Sequence, residues 1–180
     1  MDQVNNVYKY LNNDLKFKLD EIIYSPLSRA YDTALPFFEI NTTKTLSSNW
    51  AEYNYKKDQH IVDKEGNVWV YKKENASEFK NRILNEFKIL IEQGNIEKRK
   101  QTLVFTHSQV ISTILSCGLI DINSNIIKLD HDDEYLKTFF HLSNCSITCI
   151  DIDEDRQCHV QAVNYTKHLN TCTGEHSPFI

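Results

Sequence analysis

The stretch that decides the fold is Tyr24-Ser25-Pro26-Leu27-Ser28-Arg29-Ala30-Tyr31-Asp32-Thr33-Ala34. The apolar run that enters it, Glu21 to Ser25, is stopped by Pro26 and is typical of a short strand. Apolar residues then recur at helical spacing, at Leu27, Ala30, Tyr31, Ala34 and Leu35. Pro36 marks the approximate end of that helix. The stretch therefore predicts a strand that turns sharply into a helix, with Arg29 near the turn.

A second strand-to-helix junction follows at residues 102–118. The run Thr102-Leu103-Val104-Phe105-Thr106 predicts a buried strand, and the apolar spacing after His107 predicts a helix that ends at Gly118. Ligands of open α/β sheets bind at the carboxyl ends of strands, where helix N-termini offer N–H groups to anions. Because Arg29 and His107 both follow a strand, we expect them at one anion-binding edge.

The remaining periodic segments alternate in type, which predicts a single α/β domain over residues 1–180. Asn75-Ala-Ser-Glu78 resembles a capping box and opens an apolar helical stripe that runs to Gly94. Segments 146–153 and 159–165 flank a polar turn and predict an antiparallel hairpin. Val4, Tyr8, Leu11 and Leu15 have helical spacing. The interval from 41 to 73 is irregular in pattern and predicts a lid or substrate-loop insertion.

The composition and charge of the chain limit the classes of molecule that we expect it to bind. The chain has 180 residues, 41% of them hydrophobic, and a formal net charge of −5 without a long Lys/Arg run. This charge disfavours nucleic acid and membrane surfaces as partners. No apolar stretch has the length of a membrane span, and the polar, Asn-rich start is unlike a signal peptide. We therefore expect a cytoplasmic protein.

The five cysteines are too few and odd in number for a secreted disulfide framework. They are Cys117, Cys145, Cys149, Cys158 and Cys172. A zinc site could be built from Cys145, Cys149 and Cys158 with nearby histidines at 141, 159 and 168. Buried structural thiols are the commoner outcome, and no Cys-x-x-Cys pair supports the metal. We predict no metal site.

The pattern Ser-Pro-Leu-x-Arg-Ala-x-x-Thr-Ala across residues 25–34 resembles the histidine phosphatase superfamily, which includes the phosphoglycerate mutases. Leu103–His107 resembles the strand that carries that family's second catalytic histidine. Residues 74–82 and 164–169 add weaker likenesses. The resemblance implies a three-layer sandwich with a mostly parallel sheet flanked by helices. It also implies cofactor-free, metal-independent phosphomonoester hydrolysis or phosphoryl transfer on a small phosphorylated substrate.

The resemblance assigns Arg29 and His107 to phosphate binding and catalysis. A guanidinium fork binds two phosphate oxygens at once, and an imidazole at a strand end stabilises developing charge. Glu52 would be the general acid and base that protonates the leaving oxygen. Three other carboxylates compete with it for this role: Glu39, Asp58 and Asp63.

Gln109 and Asn144 resemble two further positions of the family and could donate hydrogen bonds to a phosphate. Capping of a helix and a strand is an equally good interpretation of both residues. The sequence does not decide between phosphate binding and capping for these two residues.

The family's first strand carries an Arg-His-Gly motif whose histidine accepts the phosphoryl group, and no Arg-His-Gly occurs in the 180 residues. If an upstream segment supplies it, we expect a phosphatase or mutase that works through a phosphohistidine. If not, the alternative is a catalytically inactive pseudophosphatase that binds a phospho-ligand or a protein. A purely structural scaffold is the third possibility. Since the missing strand lies inside the family's sheet, a second copy or a partner could fill the gap.

Overall fold

The computed structural model describes residues 2–14, 18–62, 66–96, 100–118 and 141–169. Within these ranges the α-helices are α1 (Asp2–Lys9), α2 (Ser28–Ala34), α3 (Ala76–Ile96) and α4 (Ser108–Thr113). The strands are β1 (Glu21–Tyr24), β2 (Thr43–Leu46), β3 (Gln59–Val62), β4 (Val68–Tyr71), β5 (Thr102–Phe105), β6 (Ile147–Ile152) and β7 (Cys158–Tyr165). No described helix is both long enough and apolar enough to span a membrane.

A parallel sheet in the order β2–β1–β5 forms the centre of the fold. In its register Tyr24 lies beside Leu46 on one side and Phe105 on the other. Because the strands are parallel, their carboxyl ends, and the segments with Arg29 and His107, share one edge. The predicted α/β class with a parallel sheet flanked by helices is therefore confirmed.

Two apolar clusters cover the two faces of this sheet, because neighbouring residues of β1 point to opposite sides. Ile22 belongs to the cluster that contains Val7 and Leu11, and Ile23 to the cluster that contains residues of α3. Both side chains are buried. The near-continuous apolar sequence of β1 is therefore required by burial on both faces.

The predicted helices form, and their boundaries follow the predicted signals. The capping box at α3 is complete: the Glu78 N–H donates to Asn75 Oδ1 at 2.9 Å, and the Asn75 N–H donates to Glu78 Oε2 at 2.7 Å. Helix α3 continues through the predicted end at Gly94 to Ile96. Helix α2 ends at Ala34 and tightens into a 3₁₀ turn, Leu35–Glu39, with Pro36 at its start.

The start of the chain is helical, as its apolar spacing predicts. Helix α1 continues as a π-helical segment, Tyr10–Asp14, and buries Val7 and Leu11. Leu15, the last residue of the predicted stripe, lies outside the described residues. Helix α4 likewise continues as a π-helical segment, Ile114–Gly118, and stops at the predicted glycine.

The two remaining sheets are antiparallel hairpins, β3–β4 and β6–β7. The second hairpin confirms the prediction for residues 146–165. The first lies in the interval 41–73, which also contains β2 of the central sheet. The interval is irregular in sequence pattern, yet it contains three short strands that the pattern did not predict. Its role as a lid or substrate loop remains a prediction.

Candidate active site

A cleft of about 510 Å³ opens at the carboxyl edge of the central sheet and runs along β5. Arg29, Glu52, His107 and Asn144 all line it. Four of the five predicted site residues thus share one cavity, although they are spread over more than 110 positions of sequence. Gln109 does not appear in the lining.

His107 lies two residues after the end of β5 and is buried, with 5% of its surface exposed. Its Nε2 lies 2.9 Å from Ser25 Oγ, and that oxygen also accepts the Leu27 N–H at 3.3 Å. If the Ser25 hydroxyl donates its own hydrogen to Nε2, both groups are satisfied, and the imidazole N–H then sits on Nδ1.

The environment keeps the His107 imidazole neutral. Burial is the main cause, and the positive charges of Arg29 and Arg82 add to it; together they lower the pKa of His107 to about 3. At neutral pH the ring is therefore a hydrogen-bonding group rather than a cation. The positive charge that attracts an anion must come from arginine.

Arg29 is paired with Glu52. The guanidinium Nη2 donates to Glu52 Oε2, in a contact between a side chain that is 57% exposed and one that is 30% exposed. An exposed ion pair of this type contributes little to stability, about 0.2–1 kcal/mol. The pair can therefore open at low cost when a stronger anion enters the cleft.

Hydrogen bonds to the main-chain carbonyl groups around Glu52 hold this residue in place. The Tyr71 hydroxyl, at the end of β4, donates to the Glu52 carbonyl oxygen. Arg82 of α3 donates to the Asn49 and Ala51 carbonyls at 2.6 and 3.1 Å. These contacts fix the main chain on both sides of Glu52 and leave its carboxylate free to exchange partners.

Tyr71 and Arg82 are themselves constrained. Burial, followed by the nearby Glu52 charge, raises the pKa of Tyr71 to about 12, so its hydroxyl remains a donor. Arg82 forms a two-point ion pair with Glu74, with Nε–Oε2 at 3.0 Å and Nη2–Oε1 at 2.5 Å. Both side chains of this ion pair are largely buried. The pair therefore fixes the orientation of the Arg82 guanidinium, which also donates to the loop of Glu52.

Two contacts connect the loop of Glu52 to the segment after β5. Thr106 Oγ1 donates to the Trp50 carbonyl at 2.7 Å, and the Tyr53 N–H donates to Gln109 Oε1 at 3.3 Å. Gln109 thus holds the loop through its carbonyl oxygen. Any role in phosphate binding would have to use its amide nitrogen.

Asn144 lines the same cleft and lies in the exposed turn before β6. The turn is fixed by two residues of the resemblance near the chain's end. Asn164 Oδ1 accepts the Ser143 N–H at 2.7 Å, and His168 Nε2 lies 3.0 Å from the Cys145 carbonyl oxygen. The residues that looked chemically idle in sequence therefore position the candidate Asn144.

The competing carboxylates are placed elsewhere. Glu39 ends the 3₁₀ turn after α2, and Asp58 Oδ1 accepts the Lys73 N–H at 2.6 Å. Neither lines the cleft. Asp63 lies outside the described residues. Of the carboxylates considered that the structure describes, Glu52 is the one that pairs with Arg29 and lines the cleft with His107.

The cysteines considered for zinc do not assemble into a site. Among the described residues, no three His, Cys, Asp or Glu side chains come close enough to hold a metal ion. Cys117, Cys145, Cys149 and Cys158 form no disulfide bond with another described residue, and Cys172 lies outside the described residues.

Three residues of this site were not assigned from sequence. Ser25 was part of the quoted pattern, but its contact with His107 spans 82 positions. Tyr71 and Arg82 act through the backbone of another segment, so no local spacing marks them. The one available signal for Arg82 was the likeness of residues 74–82 to the family's long helix.

Comparison with known proteins now identifies the class. The family model of branch 1 of the histidine phosphatase superfamily matches residues 1–166. The chain belongs to the histidine phosphatase superfamily.

Solved structures agree on the fold. YhfR of Bacillus stearothermophilus superposes with a TM-score of 0.59 and is 16% identical, over 94% of this chain and 84% of that one. Phosphoglycerate mutase of Bacillus anthracis gives a TM-score of 0.62 at 16% identity, over 93% and 81% of the two chains. No curated protein matches the chain.

Proposed function

We propose that this protein binds the phosphoryl group of a small phosphomonoester at the end of the cleft where Arg29, His107 and Glu52 meet. The observation that carries the proposal is the Arg29–Glu52 ion pair beside the neutral, buried His107. Arg29 offers a charged fork, and the imidazole offers a hydrogen bond to the same ligand. Asn144 lines the same cleft and is the neutral donor in this proposal.

Glu52 has two roles in this proposal. Without ligand its carboxylate neutralises Arg29. A phosphate dianion replaces it on the guanidinium and leaves the carboxyl group beside a like charge, which favours its protonated form. A protonated carboxyl group next to an ester oxygen is a general acid for the leaving group. Ligand entry thus prepares the proton donor.

Turnover requires a nucleophile as well. Among the histidines that the structure describes, His107 is the one that lines the cleft; His60 lies on β3 and His159 on β7. Hydrolysis or phosphoryl transfer through a phosphohistidine would need a second histidine in the cleft. The binding-only module is therefore the second candidate, because loss of the nucleophile from a cooperative site lowers turnover by about a millionfold while a partial pocket still binds.

Isothermal titration with inorganic phosphate and with p-nitrophenyl phosphate tests the proposal. Arg29→Gln should weaken both affinities at least tenfold, because a charge-assisted two-point contact is lost. Arg156→Gln, in the exposed turn between β6 and β7, removes the same charge away from the cleft and should change neither. Equal affinities for the two variants would overturn the assignment. Release of p-nitrophenol, blocked by Arg29→Gln, would separate the enzyme from the binding module.

A further inference from the structure

A buried amide lies where the loop of Glu52 meets the hairpin β3–β4. Asn54, two residues after Glu52, is only 3% exposed. Its Nδ2 donates to the Tyr71 carbonyl at 3.0 Å and to the Lys57 carbonyl at 2.8 Å. Its Oδ1 accepts the Lys56 N–H at 3.4 Å. Both hydrogens of the amide nitrogen and the amide oxygen are therefore used. No role for Asn54 was predicted from the sequence.

These contacts require an amide at position 54. In Asn54→Asp a carboxylate oxygen would face two carbonyl oxygens. In Asn54→Leu a side chain of similar size would leave both carbonyls without this donor. Buried backbone groups that lose a partner cost free energy, so the segment would shift to regain one. The amide therefore holds the loop to β4 through specific hydrogen bonds as well as through packing.

Asn54 connects the two side chains that fix the main chain at Glu52. Its side chain holds the Tyr71 carbonyl, and the hydroxyl of the same tyrosine donates to the Glu52 carbonyl. Its own carbonyl accepts the Glu74 N–H at 3.0 Å, and Glu74 orients Arg82. A displacement of Asn54 would therefore reach Glu52 by two routes.

We propose that Asn54 is a positioning residue for the Glu52 carboxylate, and that it couples the hairpin β3–β4 to the Arg29–Glu52 ion pair. This inference rests on the proposed function, in which phosphate competes with Glu52 for Arg29. It adds a means of regulation to that site, because a displacement of the hairpin changes the competition. Asn54 is not part of the cleft lining, so it acts through Glu52 and not on a ligand.

The guanidinium signals of Arg29 in NMR spectra of the ¹⁵N-labelled protein test the coupling without phosphate. Glu52→Gln gives the reference position of these signals for a broken ion pair. Asn54→Leu should move them toward that reference. Tyr71→Phe removes only the hydroxyl that donates to the Glu52 carbonyl. It should move the signals in the same direction, and it keeps the test decisive if Asn54→Leu does not fold.

A matched control comes from the same loop. Asn49→Leu makes the same substitution at an exposed position, where the side-chain amide donates to Glu86 at 2.6 Å. Since that amide has no contact with β4 in the structure, the Arg29 signals should stay at their wild-type position.

Isothermal titration with inorganic phosphate tests the connection to the proposed site. Asn54→Leu should tighten binding about two- to fivefold, as weakening an exposed ion pair would. In the Glu52→Gln background the same substitution should have no further effect, because the carboxylate that it positions is already gone. A merely structural role of Asn54 would change the affinity equally in both backgrounds.

Two results would overturn the inference. One is an unchanged set of Arg29 signals in Tyr71→Phe and in folded Asn54→Leu, and the other is an equal effect of Asn54→Leu with and without Glu52. Shifted Arg29 signals in a protein that binds no phosphate would support the positioning role and refute only the proposed function. Phosphate binding that requires Arg29, together with unshifted signals, would refute only the role of Asn54.

Discussion

Acidification should destabilise this fold through His107. The folded chain has a pKa of about 3 at this residue, against an ordinary value of 6.5. Between these values the unfolded chain binds a proton that the folded chain does not, so stability falls as the pH falls. The stability that the depressed pKa of His107 contributes is fully present above pH 6.5. Below that pH it decreases by about 1.4 kcal/mol per pH unit. From pH 7 to pH 5 the loss is about 2 kcal/mol from this one group.

Urea unfolding at pH 7 and pH 5 measures this loss. Wild type should lose about 2 kcal/mol more than His107→Gln between the two conditions, whatever the stability of the variant at pH 7. His60→Gln, at an exposed position of β3, should lose as much as wild type. Equal losses for wild type and His107→Gln would refute the reasoning. The ring signal of His107 gives an independent check, since it should not titrate above pH 5 in the folded protein.

Three further changes have defined expectations. Glu52→Gln should tighten inorganic phosphate binding about two- to fivefold, the value of an exposed ion pair, as isothermal titration would show; weaker binding would mean that the carboxylate does not compete. Ser25→Ala should cost about 1–3 kcal/mol in urea unfolding because it leaves a buried imidazole nitrogen unpaired, whereas Ser28→Ala, exposed in the same turn, should cost less than 0.5. Asn75→Ala should cost about 1 kcal/mol by the same assay, and no loss there would show that the capping box is not stabilising.

Local signals in the sequence were sufficient for β1, β5 and the helices that follow them, and for the sheet edge to which Arg29 and His107 belong. The strand-to-helix turns before Arg29 and His107 are local patterns, and the parallel sheet then brings their ends together. The capping box at Asn75 is a similar local signal. Signals of this kind depend on residues that are a few positions apart, so they can be recognised without knowledge of the rest of the fold.

Contacts between distant segments were beyond such reasoning. Strand β2 could not be predicted from the sequence pattern of the interval 41–73. Its four residues are exposed or half-exposed, so the strand shows little apolar periodicity. The loop of Glu52 is fixed by Tyr71, Thr106 and Arg82, which come from β4, the end of β5 and α3. Only the packed fold brings these donors to neighbouring carbonyl groups of residues 49–52.

The charged groups in and around the cleft are paired in a way that favours an exchange of partners in the proposed binding mode. Arg82 is satisfied by Glu74 and Arg29 by Glu52, and His107 is neutral, so the ligand-free site is nearly balanced. In the proposed binding mode, a phosphoryl group replaces Glu52 on Nη2 of the Arg29 guanidinium. Since Arg82 and Tyr71 hold the backbone of Glu52, the displaced carboxyl group stays within the site. If the proposal is correct, Glu52 therefore competes with phosphate for Arg29 and, once displaced, remains where an ester oxygen would need an acid.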